Sequence, residues 1–439
     1  MNRKIASIEL ELFVQVDLII RDGTVVSHRG VEQANIAVRD GIIVAIGNFE
    51  GLRSKEVLDA KGLHILPGVI DTEIHHTVQY VNETRAAVKG GITTAFFLNE
   101  NENNDIDHAY CDYAYLQQAT KDNIADLVSL EKRVGCVGLH LSMSKANGCN
   151  GIYDDRTLLE VLKNGNRRVI IHAEDQFKLD QQEHFIERTN VASHLTWRDE
   201  SVAIEATRRI LAIARGAGRP IHLQHISTDK EMAMLAAYKD IATVAVSPNH
   251  LFLRAPDCYE HFQNYSKIDP PIRGEENRIG LWKAMSSGIV DILASGHRAL
   301  DVESKERPYP DCVSGCPSVQ TMIPLMLDQV TKGVLSLQSL IDLSSASPAR
   351  IFNIAGKGRI ATGYDADFTV IDLKKDWILE DDDVETGCGW DLCAGVEFSG
   401  KITGTIIRGN RVMWDENIAN TAKGKPARFY DTFEEYPQE

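Results

Sequence analysis

Long apolar runs are missing from this chain of 439 residues. No stretch reaches the roughly 18 consecutive apolar residues of a membrane-crossing helix, so no membrane partner is expected. Cysteine is sparse, with eight in all. That is too few for a disulfide scaffold, and Cys312/Cys316 and Cys388/Cys393 lack the two CxxC pairs of a zinc ribbon. All eight are expected as reduced thiols in a cytoplasmic protein. Basic residues are outnumbered: 47 Lys and Arg against 63 Asp and Glu leave a net charge of −16. Such a surface repels phosphate backbones and anionic lipid, so nucleic acid is not expected as a partner. The first ten residues have neither a long apolar core nor a small-residue cleavage site, and no export signal is read there. Pro-rich linkers, short repeats and low-complexity tracts are also lacking.

What remains is globular, with 43% apolar and 25% charged residues. The N-terminal part reads as short strands: Val16-Asp-Leu-Ile-Ile20, Val25-Val26, 34–38 and 42–46. Arg21-Asp-Gly-Thr24 and Arg39-Asp-Gly41 separate them, and Asp-Gly is a tight-turn signal. The C-terminal part repeats the style in Asp367-Phe-Thr-Val-Ile-Asp372 and Ile402-Thr-Gly-Thr-Ile-Ile407, with Gly409-Asn410 as a turn. Two strand-rich ends predict one small β domain from both termini, residues 1–66 and 355–439. Residues 433–439 read as a solvated acidic tail. The middle, 67–354, alternates strands and helices. Val202, Ala206, Ile210 and Ile213 recur at helical spacing before Gly216 and Gly218, and another helix is read around 281–285. Repeated strand–helix units over some 280 residues predict a (β/α)₈ barrel.

Barrel enzymes carry their chemistry at the C-terminal ends of the strands. Leu66-Pro-Gly-Val-Ile-Asp-Thr-Glu-Ile-His75 is an apolar run ending in Glu73 and His75, two apart and therefore on one face. Val137-Gly-Leu-His140, Arg168-Val-Ile-Ile-His172 and Pro220-Ile-His-Leu-Gln-His225 end likewise, and Gly296-His297 follows 289–295. Glu73, His75, His140, His172 and His225 form a candidate metal set, because imidazole and carboxylate suit Zn²⁺. A histidine at a strand end can equally well bond a backbone group or face water. His76 points to the other face, and His222, by strand parity, is left out. Glu174 is a candidate outer acceptor for a ligand histidine.

At these residues the chain resembles the cyclic amidohydrolases: dihydroorotase, dihydropyrimidinase (hydantoinase) and allantoinase. Leu66-Pro-Gly-Val-Ile-Asp71, Arg85-Ala-Ala-Val-Lys-Gly-Gly-Ile-Thr-Thr94, His172-Ala-Glu-Asp175, His225-Ile-Ser227, Asp269-Pro-Pro-Ile-Arg273, Ser347-Pro-Ala349, Lys357-Gly-Arg-Ile360 and Gly363-Tyr-Asp-Ala-Asp367 carry the likeness, in family order. The resemblance implies a TIM barrel with a small β-sandwich-like domain, a divalent metal, a small cyclic amide, imide or ureide substrate, and a homo-oligomer, dimer or tetramer. His75, His172 and His225 match family ligands. The family's first His of His-x-His is Glu73 here, its bridging carboxylated lysine is His140, and its acid/base Asp is Gly296. A neutral imidazole cannot bridge two cations, so one Zn²⁺ is expected rather than two. Glycine can move no proton, a function typically worth about 10²–10⁴-fold; His297 and Glu174 are the candidate catalytic substitutes. Dihydroorotases hold the substrate carboxylate with an Arg after the second His and an Asn after Met-Pro. Here those regions read His76-Thr-Val and Leu98-Asn-Glu-Asn101, so the orthodox motif is broken. Asn99 and Asp269 remain the substrate-binding candidates. The same changes suit a second reading, a non-catalytic homologue acting as an assembly or scaffold partner, which would need no metal.

Overall fold

The computed structural model describes residues 15–49, 51–75, 80–99, 108–145 and 150–432. The expected tail at 433–439, His76 and Cys149 lie outside the described residues, as does the side chain of Asn99. Among the described residues no helix is long and apolar enough to cross a membrane, and all seven described cysteines are free thiols.

Two sheets organise the chain. The strands are β1 (Gln15–Ser27), β2 (Gly30–Arg39), β3 (Ile42–Gly47), β4 (Arg53–Asp59), β5 (His64–Pro67), β6 (Val69–Ile74), β7 (Ile92–Asn99), β8 (Asp112–Gln118), β9 (Cys136–Ser142), β10 (Val169–His172), β11 (Ile221–Leu223), β12 (Ala242–Val246), β13 (Ile292–Leu293), β14 (Phe368–Ile378), β15 (Glu397–Ile407), β16 (Asn410–Trp414) and β17 (Asn417–Ile418). Sheet one runs β17-β16-β15-β14-β5-β1-β2-β3, with β4 beside β1, so both ends of the chain share it. Asp40 and Gly41 take positive φ between β2 and β3, as the predicted two-residue turn requires. The other predicted turn, at 21–24, is instead a bulge inside the continuous strand β1, where the register with β2 shifts between Ile20 and Gly23.

Sheet two holds β6 to β13 in sequence order, all parallel. First and last strands meet: Ile74 bridges to His297, and the His75 N–H donates to the His297 carbonyl at 2.8 Å. This is the (β/α)₈ barrel. Its helices cover the outside. Glu200–Ala217 buries Val202, Ala206 and Ile210 and stops at Gly218, whose φ of 67° suits a glycine C-cap. Ile70, Phe96, Leu98, Ile170, Ala245 and Ile292 pack together in a second, separate core. Their alternation with Val169, Ile171, Val244 and Leu293 of the larger core means that strand parity decides which side chains reach the barrel mouth.

Candidate active site at the barrel mouth

Ile170 belongs to the inner core, so His172, two residues on, projects inward where β10 ends. His225 lies beyond the end of β11 in a left-handed conformation with φ of 33°. The chain has turned there, so parity counted from His222 does not reach it. His222, which parity set aside, also lies inside: its Nδ1 is 2.9 Å from Thr243 Oγ1 and its ring meets Phe352 edge-on.

Glu73, at the end of β6, is the centre of the site. Its Oε1 lies 2.5 Å from His225 Nδ1 and 3.4 Å from His75 Nε2. Among the described residues its buried Oε2 has no hydrogen-bond partner. Burial works to raise the Glu73 carboxyl, but the charge of His225 and the bonds from His225 and His75 hold it well below the usual carboxylate range. His225 is shifted up: burial opposes its charge, and Glu73 outweighs burial. His75 is shifted down by burial, against the pull of Glu73.

Behind this trio runs a chain of polar contacts. His225 Nε2 is 2.7 Å from His172 Nδ1, and His172 Nε2 is 3.0 Å from Glu174 Oε2. Arg198 bonds that same oxygen and lies 3.4 Å from Asp269 Oδ1, which also accepts from His194 Nε2 at 2.9 Å. His225, His172, Glu174, Arg198 and His194 are buried, and Asp269 is half-buried with its side chain turned inward. Against the desolvation that burial imposes, Arg198 keeps both Glu174 and Asp269 ionised, with lowered pKa values. A carboxylate only accepts, so His225 must present N–H to Glu73 and His172 must present N–H to Glu174.

The remaining expected site residues are engaged by other partners. His140 is tied to two amides, Gln118 Oε1 at 2.7 Å and Gln224 Oε1 at 3.2 Å, and burial, then the nearby His75 and His172, pushes it down to about 3. His297 is fully buried and does not line the cleft. Its Nδ1 accepts from the Ser318 and Val319 N–H groups at 3.0 and 3.1 Å, and its Nε2 donates to Glu83 at 2.7 Å. With both ring nitrogens engaged, it has none for a substrate. Glu174 is likewise behind His172, clamped by Arg198. Asp269 does line the cleft, although Arg198 and His194 hold it.

Among the described residues no three His, Cys, Asp or Glu side chains already surround a common point as a metal cage would. The five-donor convergence expected from strand ends is therefore replaced by the trio Glu73, His75 and His225. The trio brings one carboxylate and two imidazoles, donor types that suit a divalent cation, into contact with one another, but these atoms do not surround a common point.

A narrow cleft opens above the trio. Besides Glu73, His75 and His225 it is lined by Ser247, His250, Asp269, Gly296 and Arg298. Gly296 has φ of 63°, and a Cβ built on it would meet only Ser247 Cβ at 3.6 Å and Glu73 Oε1 at 4.0 Å. Sequence reading missed Ser247 and His250. The signal was available: the apolar run 242–246 ends in Ser247-Pro-Asn-His250, the same strand-end pattern as the others.

Residues 64–412 match the family model described as "Amidohydrolase family". The chain is 30% identical over 428 residues to the dihydroorotase of Pyrococcus furiosus, covering 93% of this chain and 95% of that one. It is 30% identical over 434 residues to the allantoinase of Escherichia coli O1:K1, covering 91% and 95%. Among solved structures, the L-hydantoinase (dihydropyrimidinase) of Arthrobacter aurescens superposes with a TM-score of 0.87 at 22% identity, over 94% of this chain and 99% of that one, a likeness of fold.

Proposed function

Because the chain belongs to the Amidohydrolase family, we propose that it is a hydrolase that opens a ring C–N bond of a small cyclic amide, imide or ureide in the cleft above Glu73. The observation that carries this reading is the trio itself: a buried carboxylate between two imidazoles, with one oxygen that has no partner among the described residues, at the floor of a cleft in the barrel mouth.

Glu73, His75 and His225 would hold a single divalent cation, zinc by donor type. Bound there, it would polarise the scissile carbonyl and lower the pKa of water. Glu73 supplies the negative charge that the site needs. His172, through its contact with His225 Nε2, fixes the orientation of that ring, and Glu174 with Arg198 fixes His172 in turn. Asp269 and Arg298 bring opposite charges to the cleft wall, which suits a polar ring bearing both donors and acceptors. The composite β domain, the cytoplasmic setting and the homo-oligomer belong to the same reading.

The test is metal content per chain together with hydrolysis of dihydroorotate, dihydrouracil, hydantoin, allantoin and a cyclic imide. About one zinc per chain and turnover of at least one ring is the expected result. Metal-free protein, inert on all five even after zinc is supplied, overturns the hydrolase and leaves the scaffold reading.

A further inference from the structure

The barrel mouth has a second pair of side chains that the trio does not use. Ser247 follows β12 and sits at the N-cap of the short helix Pro248–Phe252. A serine there ordinarily caps the helix by accepting a backbone N–H. This one makes no side-chain cap bond. Its Oγ lies instead 2.8 Å from His250 Nδ1, and His250 Nε2 lies 3.0 Å from the Pro270 carbonyl. A carbonyl can only accept, so His250 carries its proton on Nε2 and Nδ1 is the acceptor. The Ser247 O–H therefore donates to His250. This is the geometry of a hydroxyl beside a base, with the base oriented by a third group.

The pair's location gives it a role. Both residues are buried, yet both line the cleft. Ser247 Cβ stands 3.6 Å from where a Cβ on Gly296 would be. Gly296 is the strand-eight position that offers no carboxylate, and Ser247 is the side chain nearest to it, with its hydroxyl turned toward His250. Burial, together with the charge of nearby His225, keeps the His250 ring neutral, so its Nδ1 lone pair is available at neutral pH.

We propose that Ser247 and His250 form the proton relay for ring opening, with Ser247 in contact with the reacting atoms and His250 acting through it. The inference rests on the hydrolase reading above. As the oxygen of water bonds to the ring carbonyl carbon, its proton passes to Ser247 Oγ while the hydroxyl proton of Ser247 passes to His250 Nδ1. As the C–N bond breaks, Ser247 gives a proton to the leaving nitrogen and recovers one from His250. The sum is one water and one ring amide giving one acid and one amine or urea nitrogen, with the relay restored.

The experiment measures kcat and KM of the full-length, zinc-loaded protein on whichever ring of the panel the wild type opens fastest. Variants are Ser247→Ala, Ser247→Thr, and Ser247→Ala combined with Gly296→Asp. Ser247→Ala should lower kcat about 10²–10⁴-fold and move KM less than threefold. Ser247→Thr, which keeps a hydroxyl, should stay within about tenfold of wild type. Gly296→Asp, which puts a carboxylate at the adjoining position, should restore at least tenfold of what the alanine variant loses, a rescue that a merely structural serine would not allow. Wild-type kcat retained within threefold by Ser247→Ala overturns the relay and leaves the hydrolase standing. An ester on Ser247, trapped by acid quench and found by mass spectrometry, also overturns it by making the serine a nucleophile. A wild type that turns over no ring overturns both.

Discussion

His172 Nδ1 and His225 Nε2 are 2.7 Å apart, and this contact links the cleft floor to the buried ion network behind it. His225 touches Glu73 on its other side, and His172 touches Glu174. A ring that lines the cleft is thus aligned by one that does not.

His172 should therefore govern metal affinity without being a ligand. His172→Ala leaves Glu73, His75 and His225 in place but frees the His225 ring to rotate. Zinc affinity, measured by competition with a chromophoric chelator, should fall about 10–100-fold. An unchanged affinity would mean that Glu73 alone orients His225.

Arg198 is the cation that allows two buried carboxylates to coexist. It bonds Glu174 and lies 3.4 Å from Asp269 Oδ1, all three being nearly inaccessible to water. Arg198→Met removes the charge but keeps most of the volume. Stability by urea denaturation should fall about 3–5 kcal/mol. A smaller loss would show that water reaches the two carboxylates.

Much of this arrangement was readable in the sequence, where each strand's own apolar run ends in a polar residue. That rule singled out Glu73, His75, His172 and His225, because the end of an apolar run is a local property of the sequence. The rest depended on distant partners. His140 is diverted by Gln118, from the preceding strand, and by Gln224, which lies 84 residues away in sequence. His297 is claimed by Glu83, 214 residues away, and by the backbone at 318–319. Nothing near either histidine announces those partners. His222 and His225 are not related by strand parity, because β11 ends at Leu223 and the backbone turns left-handed at His225.

His222 gives the protein a specific weakness to acid. Burial pushes its pKa down to about 3, with Arg168 adding to the effect. The unfolded chain takes up that proton near the ordinary value of 6.5, before the folded protein does. Between about pH 6.5 and 3 the unfolded state binds more protons, so stability falls as pH falls. This one group accounts for a loss on the order of 4 kcal/mol across that window. His222→Leu fills the space beside Phe352 and cannot titrate. Urea midpoints taken at intervals from pH 7 to pH 4 should converge on the acid side, with the variant losing less stability than wild type. Parallel curves would place the acid sensitivity elsewhere.

Gly296 separates two explanations of its own presence, a backbone that needs glycine and a cleft that needs space. Its φ of 63° lies where a side chain strains the chain, but the nearest atoms to an added Cβ, at 3.6 and 4.0 Å, are at ordinary contact distance. Conformation should then dominate and crowding should contribute little. Gly296→Ala should cost about 1–2 kcal/mol in urea denaturation, the penalty of one left-handed residue. The methyl group moves no proton and meets Glu73 only at its edge, so kcat should stay within about threefold of wild type, less than one order of magnitude of barrier change. A loss above about 4 kcal/mol would instead point to overpacking against Ser247. A collapse of kcat at unchanged stability would show that the open space beside Ser247 is itself part of the substrate's seat.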